Sequence, residues 1–321
     1  MHVSDDDEWL DSMRLALGSA QFGLDYGISN TGGQTPPDEV ARILRVAYEG
    51  GLQCIDTAHL YGNSEKVLGE ALRQLDSELE GPYDDEEEAP LFLTVSKTPK
   101  FPASSLREAD GKALVKACRQ SLKALGGSQL YGLLVHDADD LLKPGSEYLY
   151  DALYELKDDG LVVNVGASVY DARQIDALMQ RLPLDLLQVP LSVFDQRLVR
   201  SGHLRALNGA GIEIHARSVF LQGVAFFAPE TLPAAVADLR PQVEALHQLA
   251  KKFQVSPALL ALKFCLAQPE INQVICGVNT AAQLQNLIDW ANHPGVTGLP
   301  AAWPEAIAAT DEALLNPSRW E

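Results

Sequence analysis

The 321-residue sequence predicts a single α/β domain folded as a closed (β/α)8 barrel. Three observations point there. Short apolar runs alternate with longer amphipathic stretches from end to end, the pattern of βα units around a parallel sheet. Several runs are almost continuously apolar, such as Leu184-Asp185-Leu186-Leu187-Gln188-Val189, as strands covered on both faces are. Eight such units suit a closed barrel, typically about 250 residues long, better than a doubly wound sheet with fewer strands.

In chain order, the first strand is expected over Arg14–Ser19, followed by a helix over 37–50. Gln53–Asp56 precedes a helix over 64–75, Leu91–Lys97 one over 105–125, and Leu130–His136 one over 146–159. Val162–Ala167 leads to 171–181, Leu184–Val189 to 197–209, Gly211–Ala216 to 236–253, and Gln273–Cys276 to 280–292. Each strand is a short apolar run, and each helix a longer stretch with one apolar face. An additional helix over 256–268 is opened by Ser256 as N-cap and Pro257 in the first turn. No shift of composition marks a domain linker. The expected organisation is an acidic, flexible lead over 1–13, then a barrel over 14–321 with an acidic surface insertion around 76–89.

Lys+Arg 25 against Asp+Glu 44 gives a net charge of −19. Residues 1–11 and 74–96 carry much of the excess without a single base, and both runs read as solvated surface. Such a balance argues against nucleic acid, which demands a basic stripe, and against anionic membrane surfaces. No stretch approaches the ~18 apolar residues of a membrane span, and the N-terminus lacks a secretory pattern. Cys54, Cys118, Cys265 and Cys276 form no C-x-x-C pair, so reduced thiols and a cytoplasmic location are expected. His59, His136, His203 and His215 lack metal-ligand spacing, and no metal site is expected.

Common motifs are absent or broken. No G-x-G-x-x-G follows a strand. Gly18-Ser-Ala-Gln-Phe-Gly23 has P-loop glycine spacing, but Leu24 and Asp25 replace the Lys and Ser/Thr. Gly166-Ala-Ser168-Val-Tyr170 fails the nucleophile elbow at its last position.

In such barrels chemistry gathers at the C-terminal ends of the strands. Strand two ends in Asp56 with Tyr61 in the loop beyond, strand three in Lys97, and strand four in His136. Singly, each has an ordinary explanation as helix cap, solvated lysine, structural histidine or packing tyrosine. Jointly they suit proton transfer to an oxygen. Tyr61 is the acid or base, and Lys97 is expected to lower its pKa. Asp56 pairs with Lys97, and His136 orients the substrate oxygen. A Schiff-base lyase or isomerase on Lys97 would need an unpaired amine, which Asp56 disfavours.

These residues resemble the aldo–keto reductase superfamily. Asp56-Thr-Ala-His-Leu-Tyr61-Gly-Asn-Ser64-Glu65, with Leu68-Gly69, is similar to that family's signature D-T-A-x-x-Y-G-x-S-E-x-x-L-G. Ser96-Lys97-Thr98 resembles the lysine motif and Leu134-Val-His136-Asp137 the histidine strand, Asp137 being a departure. The similarity runs from about Leu15 to Ala291. It implies a barrel that moves a hydride between a nicotinamide cofactor and an aldehyde, ketone, sugar or other alcohol, with the four residues in the roles above. An alternative is a cofactor-binding regulatory or sensor subunit with little turnover. Partners are then a small-molecule substrate, with neither nucleic acid nor membrane; oligomeric state is left open.

The resemblance also implies a cofactor set. Gly18, Ser19 and Gln21 approach the nicotinamide side, and Ser168 and Gln188 meet its carboxamide. The family's Asn beside that serine is Val169 here. Arg217 stands where many members stack a Tyr on the nicotinamide, and a guanidinium stacks on a π face as well. Ser218, Phe220, Gln222 and Gly223 resemble the pyrophosphate loop. Gly277, Asn279, Thr280, Gln283 and Asn286 resemble the adenosine motif. NADP(H) is the family's default, yet no basic residue lies between Lys263 and Arg319, so NAD(H) stands as the alternative. Phe22, Leu24 and Tyr26 are candidates for an apolar substrate pocket. Trp9, Trp290, Trp303 and Trp320 read as packing, and the tail after Pro294 either covers the barrel mouth or seals a helix pair.

Overall fold

The computed structural model describes residues 11–79 and 90–320. Eight parallel strands close into a barrel in sequence order. They are β1 (Leu15–Gly18), β2 (Cys54–Asp56), β3 (Leu93–Lys97), β4 (Leu130–Val135), β5 (Val162–Ser168), β6 (Leu186–Pro190), β7 (Glu213–Arg217) and β8 (Gln273–Gly277). The ring closes where β1 pairs with β8, Gly18 lying opposite Gly277 on one side and Asp56 on the other.

The main helices are α1 (Pro37–Glu49), α2 (Ser64–Leu79), α3 (Glu108–Leu125), α4 (Glu147–Asp158), α5 (Ala172–Met179), α6 (His203–Gly209), α7 (Arg240–Phe253), α8 (Pro257–Leu266) and α9 (Ala281–Ala291). Their apolar stripes and the outward strand residues form one large core, including Leu17, Ile43, Leu68, Leu114, Leu187 and Leu262. A second, small cluster of Ala16, Cys54, Val95, Leu134, Leu186 and Ile275 fills the barrel's centre. Side chains alternate with period two along a strand. The next inward position after each of those six is therefore Gly18, Asp56, Lys97, His136, Gln188 and Gly277. Burial of the inner cluster aims the polar residues into the mouth.

Three expectations need correction. The helix over 197–209 is two pieces, Arg197–Arg200 and His203–Gly209, separated at Gly202 with φ of +78°. The helix expected from 236 starts at Arg240, because Val236 at φ −127° keeps the preceding residues in short 3-10 turns. Residues 76–79 complete α2 rather than opening an insertion; the rest of the acidic stretch, and residues 1–10 with Trp9, lie outside the described residues. Asp11, within the lead expected to be flexible, pairs with Lys263 at 3.2 Å.

The C-terminal tail runs along the outside of α8 and then to the barrel mouth. Trp303 packs edge-on against Phe264 of α8 at 6.3 Å, and the Ala309 amide bonds the Phe194 carbonyl at 2.8 Å. Farther on, Pro317 and Ser318 reach the barrel mouth. Among the described residues, no helix is long and apolar enough to cross a membrane.

Candidate active site

The mouth holds a cavity of about 870 Å³ at the C-terminal ends of the strands. At its base Lys97 Nζ lies 2.6 and 2.7 Å from the two carboxylate oxygens of Asp56, 3.0 Å from the Thr57 carbonyl and 3.4 Å from the Tyr61 hydroxyl. The His136 ring stands edge-on to Tyr61, centroids 6.0 Å apart. Three of the four proton-active groups are thus hydrogen-bonded through Lys97, and the His136 ring stands against the Tyr61 edge beside them.

Tyr61 is held by close backbone packing. A Cβ on Gly23 would come 1.8 Å from the Tyr61 carbonyl oxygen, and one on Gly62, at φ +58°, would come 2.3 Å from the Gly23 oxygen. Only two glycines allow these loops to touch. The following helix is fastened by its first two residues. Ser64 Oγ donates to the Ser19 carbonyl at 2.8 Å, and buried Glu65 accepts from Ser96 at 2.6 Å and Ser121 at 3.0 Å. The Ser-Glu of the sequence motif is therefore the anchor of the tyrosine loop.

The electrostatics differ in one respect from expectation. Lys97 was expected to lower the Tyr61 pKa; instead the phenol is held well above its ordinary value by burial, with the Asp56 carboxylate adding to the rise. The charge that opposes the rise is Arg217. Burial pushes the Lys97 ammonium down while Asp56 pulls it up. His136 is pushed down to about 3, by burial first and then by Lys97, Lys100 and Arg217. It is a neutral imidazole at physiological pH and works as a hydrogen-bonding group.

All nineteen residues singled out for catalysis and cofactor contact line this one cavity. Their engagements vary. Gln188 Nε2 donates to Asp56 Oδ1 at 2.7 Å, which leaves its carbonyl for a ligand. Ser19 is fully buried, with Ser64 Oγ 2.9 Å from its hydroxyl. Arg217 donates to the Val169 carbonyl at 2.9 Å and to Ser168 Oγ at 3.3 Å, and its guanidinium lies 4.4 Å from the Tyr170 ring centroid. It binds the turn in which the family's Asn is missing, and its stacking partner within the protein is Tyr170, which sequence reasoning missed.

The residues present fit an elongated dinucleotide. Gln21 Oε1 and His136 Nδ1 are buried without a protein partner, each a polar atom left for a ligand. Gly277 lets Gln21 close in, since a Cβ there would fall 2.6 Å from that oxygen. Ser218, Leu221 and Gln222 have φ of +62°, +46° and +52°, beside Gly223 at +104°. Left-handed backbone of this kind aims amides at an anion in other proteins; in this turn the Leu221 and Gly223 amides donate to the Ser218 and Phe220 carbonyls at 2.7 and 3.0 Å.

Sequence reading also missed the loop at 27–32, which lines the cavity and bonds Asn279 through Asn30 at 2.7 Å. Nothing in its composition announces a site. Of the three apolar candidates, Tyr26 lines the cavity, Phe22 is fully buried in the core, and half-buried Leu24 does not reach it. Trp290 is part of the cavity wall as well as of the helix packing. Among the described residues, no group of His, Cys, Asp or Glu is arranged to hold a metal ion.

Comparison with known proteins gives the family and the fold. A family model described as the aldo/keto reductase family matches residues 14–297. Aldo-keto reductase YhdN of Bacillus subtilis is 25% identical over 61% of the chain, a match that spans 55% of that protein's length. Aldo-keto reductase str7 of Strobilurus tenacellus is 27% identical over 88% of this chain and 82% of its own. Among solved structures, the holo form of aldo-keto reductase AKR11C1 from Bacillus halodurans superimposes with a TM-score of 0.68 at 17% identity, covering 94% of this chain and 95% of its own. An aldo/keto reductase from Klebsiella pneumoniae, solved with NADP and acetate, gives 0.65 at 18% identity over 93% of both chains.

Proposed function

The chain belongs to the aldo/keto reductase family and is an NAD(P)H-dependent oxidoreductase, and from that premise we propose that it interconverts a carbonyl compound and an alcohol with Tyr61 as the general acid and base. The observation that carries this reading is the intact Asp56–Lys97–Tyr61–His136 cluster at one end of a cavity of about 870 Å³ whose lining runs on to Asn286.

When bound, the nicotinamide supplies or accepts the hydride. The protein's own groups handle the proton and the orientation. His136, kept neutral, holds the substrate oxygen beside the Tyr61 hydroxyl. Tyr61 gives its proton to that oxygen as negative charge develops there, or takes it in the reverse direction. Its raised pKa makes it a reluctant acid until charge builds on the substrate. Lys97 and Arg217 are the cations whose field then favours phenolate. Asp56 keeps Lys97 in place. Ser168, Gln188 and Gln21 would hold the carboxamide end of the cofactor, Arg217 would stack on it, and the 218–223 turn would hold the pyrophosphate. Asn279, Thr280, Gln283 and Asn286 would meet the adenosine. NADP(H) is the family default, and the K. pneumoniae neighbour was solved with NADP.

The test is Tyr61→Phe. Turnover of aldehydes and ketones should fall by roughly 10²–10⁴ while NAD(P)H binding stays within a few-fold. Turnover at the wild-type rate would remove Tyr61 from the mechanism.

A further inference from the structure

The charge of the cavity does not follow that of the chain. The sequence carries a net charge of −19, yet among the described residues that line the cavity Asp56 is the one carboxylate, and Lys97 neutralises it at 2.6 Å. The other cation in the lining is Arg217. Among the described residues, no carboxylate lies within ion-pair distance of its guanidinium, whose contacts are two hydroxyls, a carbonyl and a ring. The mouth therefore holds an uncompensated positive charge.

That charge is drawn toward the groups that handle the oxygen. Arg217 ends β7, but its guanidinium leans across β6 to the turn after β5, where Nη2 donates to the Val169 carbonyl at 2.9 Å and Nε to Ser168 Oγ at 3.3 Å. Nη1 donates to Ser218 Oγ at 3.3 Å. A guanidinium has five N–H donors, so two remain, one on each terminal nitrogen. β5 adjoins β4, which His136 follows, and the field of Arg217 reaches both His136 and Tyr61. Two hydroxyls share this corner of the cavity. Tyr26 Oη accepts from Gln222 Nε2 at 3.1 Å, which leaves its own proton to donate. The Tyr170 hydroxyl has no hydrogen-bond partner among the described residues, although the Arg217 central carbon lies 4.4 Å from its ring centroid. Tyr26, Tyr170 and Arg217 all line the cavity and feel one another's charge.

We infer that the substrate is an anionic carbonyl compound: Arg217, with the Tyr26 and Tyr170 hydroxyls, binds a carboxylate or phosphate group of the molecule whose carbonyl lies against Tyr61 and His136. The inference rests on the reading of this cavity as a carbonyl-reducing site, and it names the substrate class. A forked cation flanked by hydroxyls is the donor set that an oxyanion demands. A half-buried cation without a counter-ion is costly, and a ligand that supplies one is favoured over its neutral counterpart. Stacking of the guanidinium does not compete with this role, because stacking uses its face and the oxyanion its edge. In the reaction the carbonyl carbon takes the cofactor's hydride and the oxygen takes the Tyr61 proton, while the oxyanion is unchanged.

Matched pairs of aldehydes test this: 4-oxobutanoate against its methyl ester, and glyceraldehyde 3-phosphate against glyceraldehyde, each with NADH and NADPH. In at least one pair wild type should favour the anion by roughly 10–100-fold in kcat/KM, the worth of one charge-assisted hydrogen bond, and the pair that shows it tells carboxylate from phosphate. Arg217→Met should bring that ratio to about one, and Arg217→Lys, which keeps the charge and loses the fork, should fall between. A wild-type ratio near one in both pairs would overturn the inference. So would Arg217→Met lowering both members of a pair alike, which is what the loss of a cofactor contact alone would do. With NADP+ in place of the reduced cofactors, saturation-transfer NMR reads the binding of the same pairs without turnover. Preferential binding of an anion, lost in Arg217→Met, with no turnover of any probe would uphold the anion site and fail the reductase reading. Turnover with a ratio near one would do the reverse, and neither binding nor turnover would overturn both.

Discussion

Replacing Lys97 by methionine isolates the ion pair beneath the tyrosine. The two side chains are 2% and 5% exposed, and the ammonium bridges both carboxylate oxygens of Asp56. Methionine fills the space of the lysine stem but leaves Asp56 with Gln188 as its remaining donor among the contacts described above. Removing one member of a buried pair costs about 3–5 kcal/mol, because the other charge stays buried and uncompensated. Unfolding entropy of about 2.1 cal/mol/K per residue gives roughly 0.67 kcal/mol/K for this chain, so Tm should fall by about 4–8 °C. The double variant Asp56→Asn/Lys97→Met removes both charges and should recover at least half of the loss. Circular dichroism melts and urea titrations of the three proteins measure this directly. A single variant melting within about 1 °C of wild type, or a double variant less stable than the single, would mean that the buried pair does not hold Asp56 in this way.

Two further outcomes follow from the site. His136 is pushed down to about 3 in the fold against an ordinary value near 6.5, so unfolded chains bind a proton that the native state refuses. Its contribution to stability is complete above about pH 6.5 and is lost as pH falls toward 3; between pH 6 and 4, wild type should lose up to about 1.4 kcal/mol per pH unit more than His136→Asn. Equal slopes in urea unfolding would show that the histidine is not held neutral. Gly23→Ala sets a methyl where only 1.8 Å separates it from the Tyr61 oxygen, and it should displace the tyrosine loop. Steady-state kinetics should show kcat/KM lower by about 100-fold with cofactor affinity nearly unchanged; an unaffected kcat/KM would mean that the loop accommodates the methyl without moving Tyr61.

The barrel was legible because strand burial is written as apolar runs, and all eight strands lie within two or three residues of where Leu15, Ile55, Leu134 or Leu187 place them. The strand-end residues were legible for the same reason, since period-two alternation carries the inward direction from Cys54 to Asp56 and from Val95 to Lys97. What escaped was whatever depends on loops meeting across the mouth. Tyr170 under Arg217, Asn30 against Asn279 and Glu39 on the Ala281 amide join residues far apart in sequence, and no local pattern encodes such contacts. The sign of the Tyr61 shift escaped as well. It is set first by burial of the phenol and then by the Asp56 carboxylate, and burial is not read from residue type.

The proposed function turns on hydride transfer between a nicotinamide and a carbonyl carbon inside this cavity. NADH and NADPH carrying deuterium at the transferable C4 position, offered with a panel of aldehydes and ketones, test it most directly. Mass spectrometry of the products should find one deuterium on the carbinol carbon, from wild type and not from Tyr61→Phe in the same time. Consumption of the carbonyl without label in the product, or equal labelling by both proteins, would contradict the account.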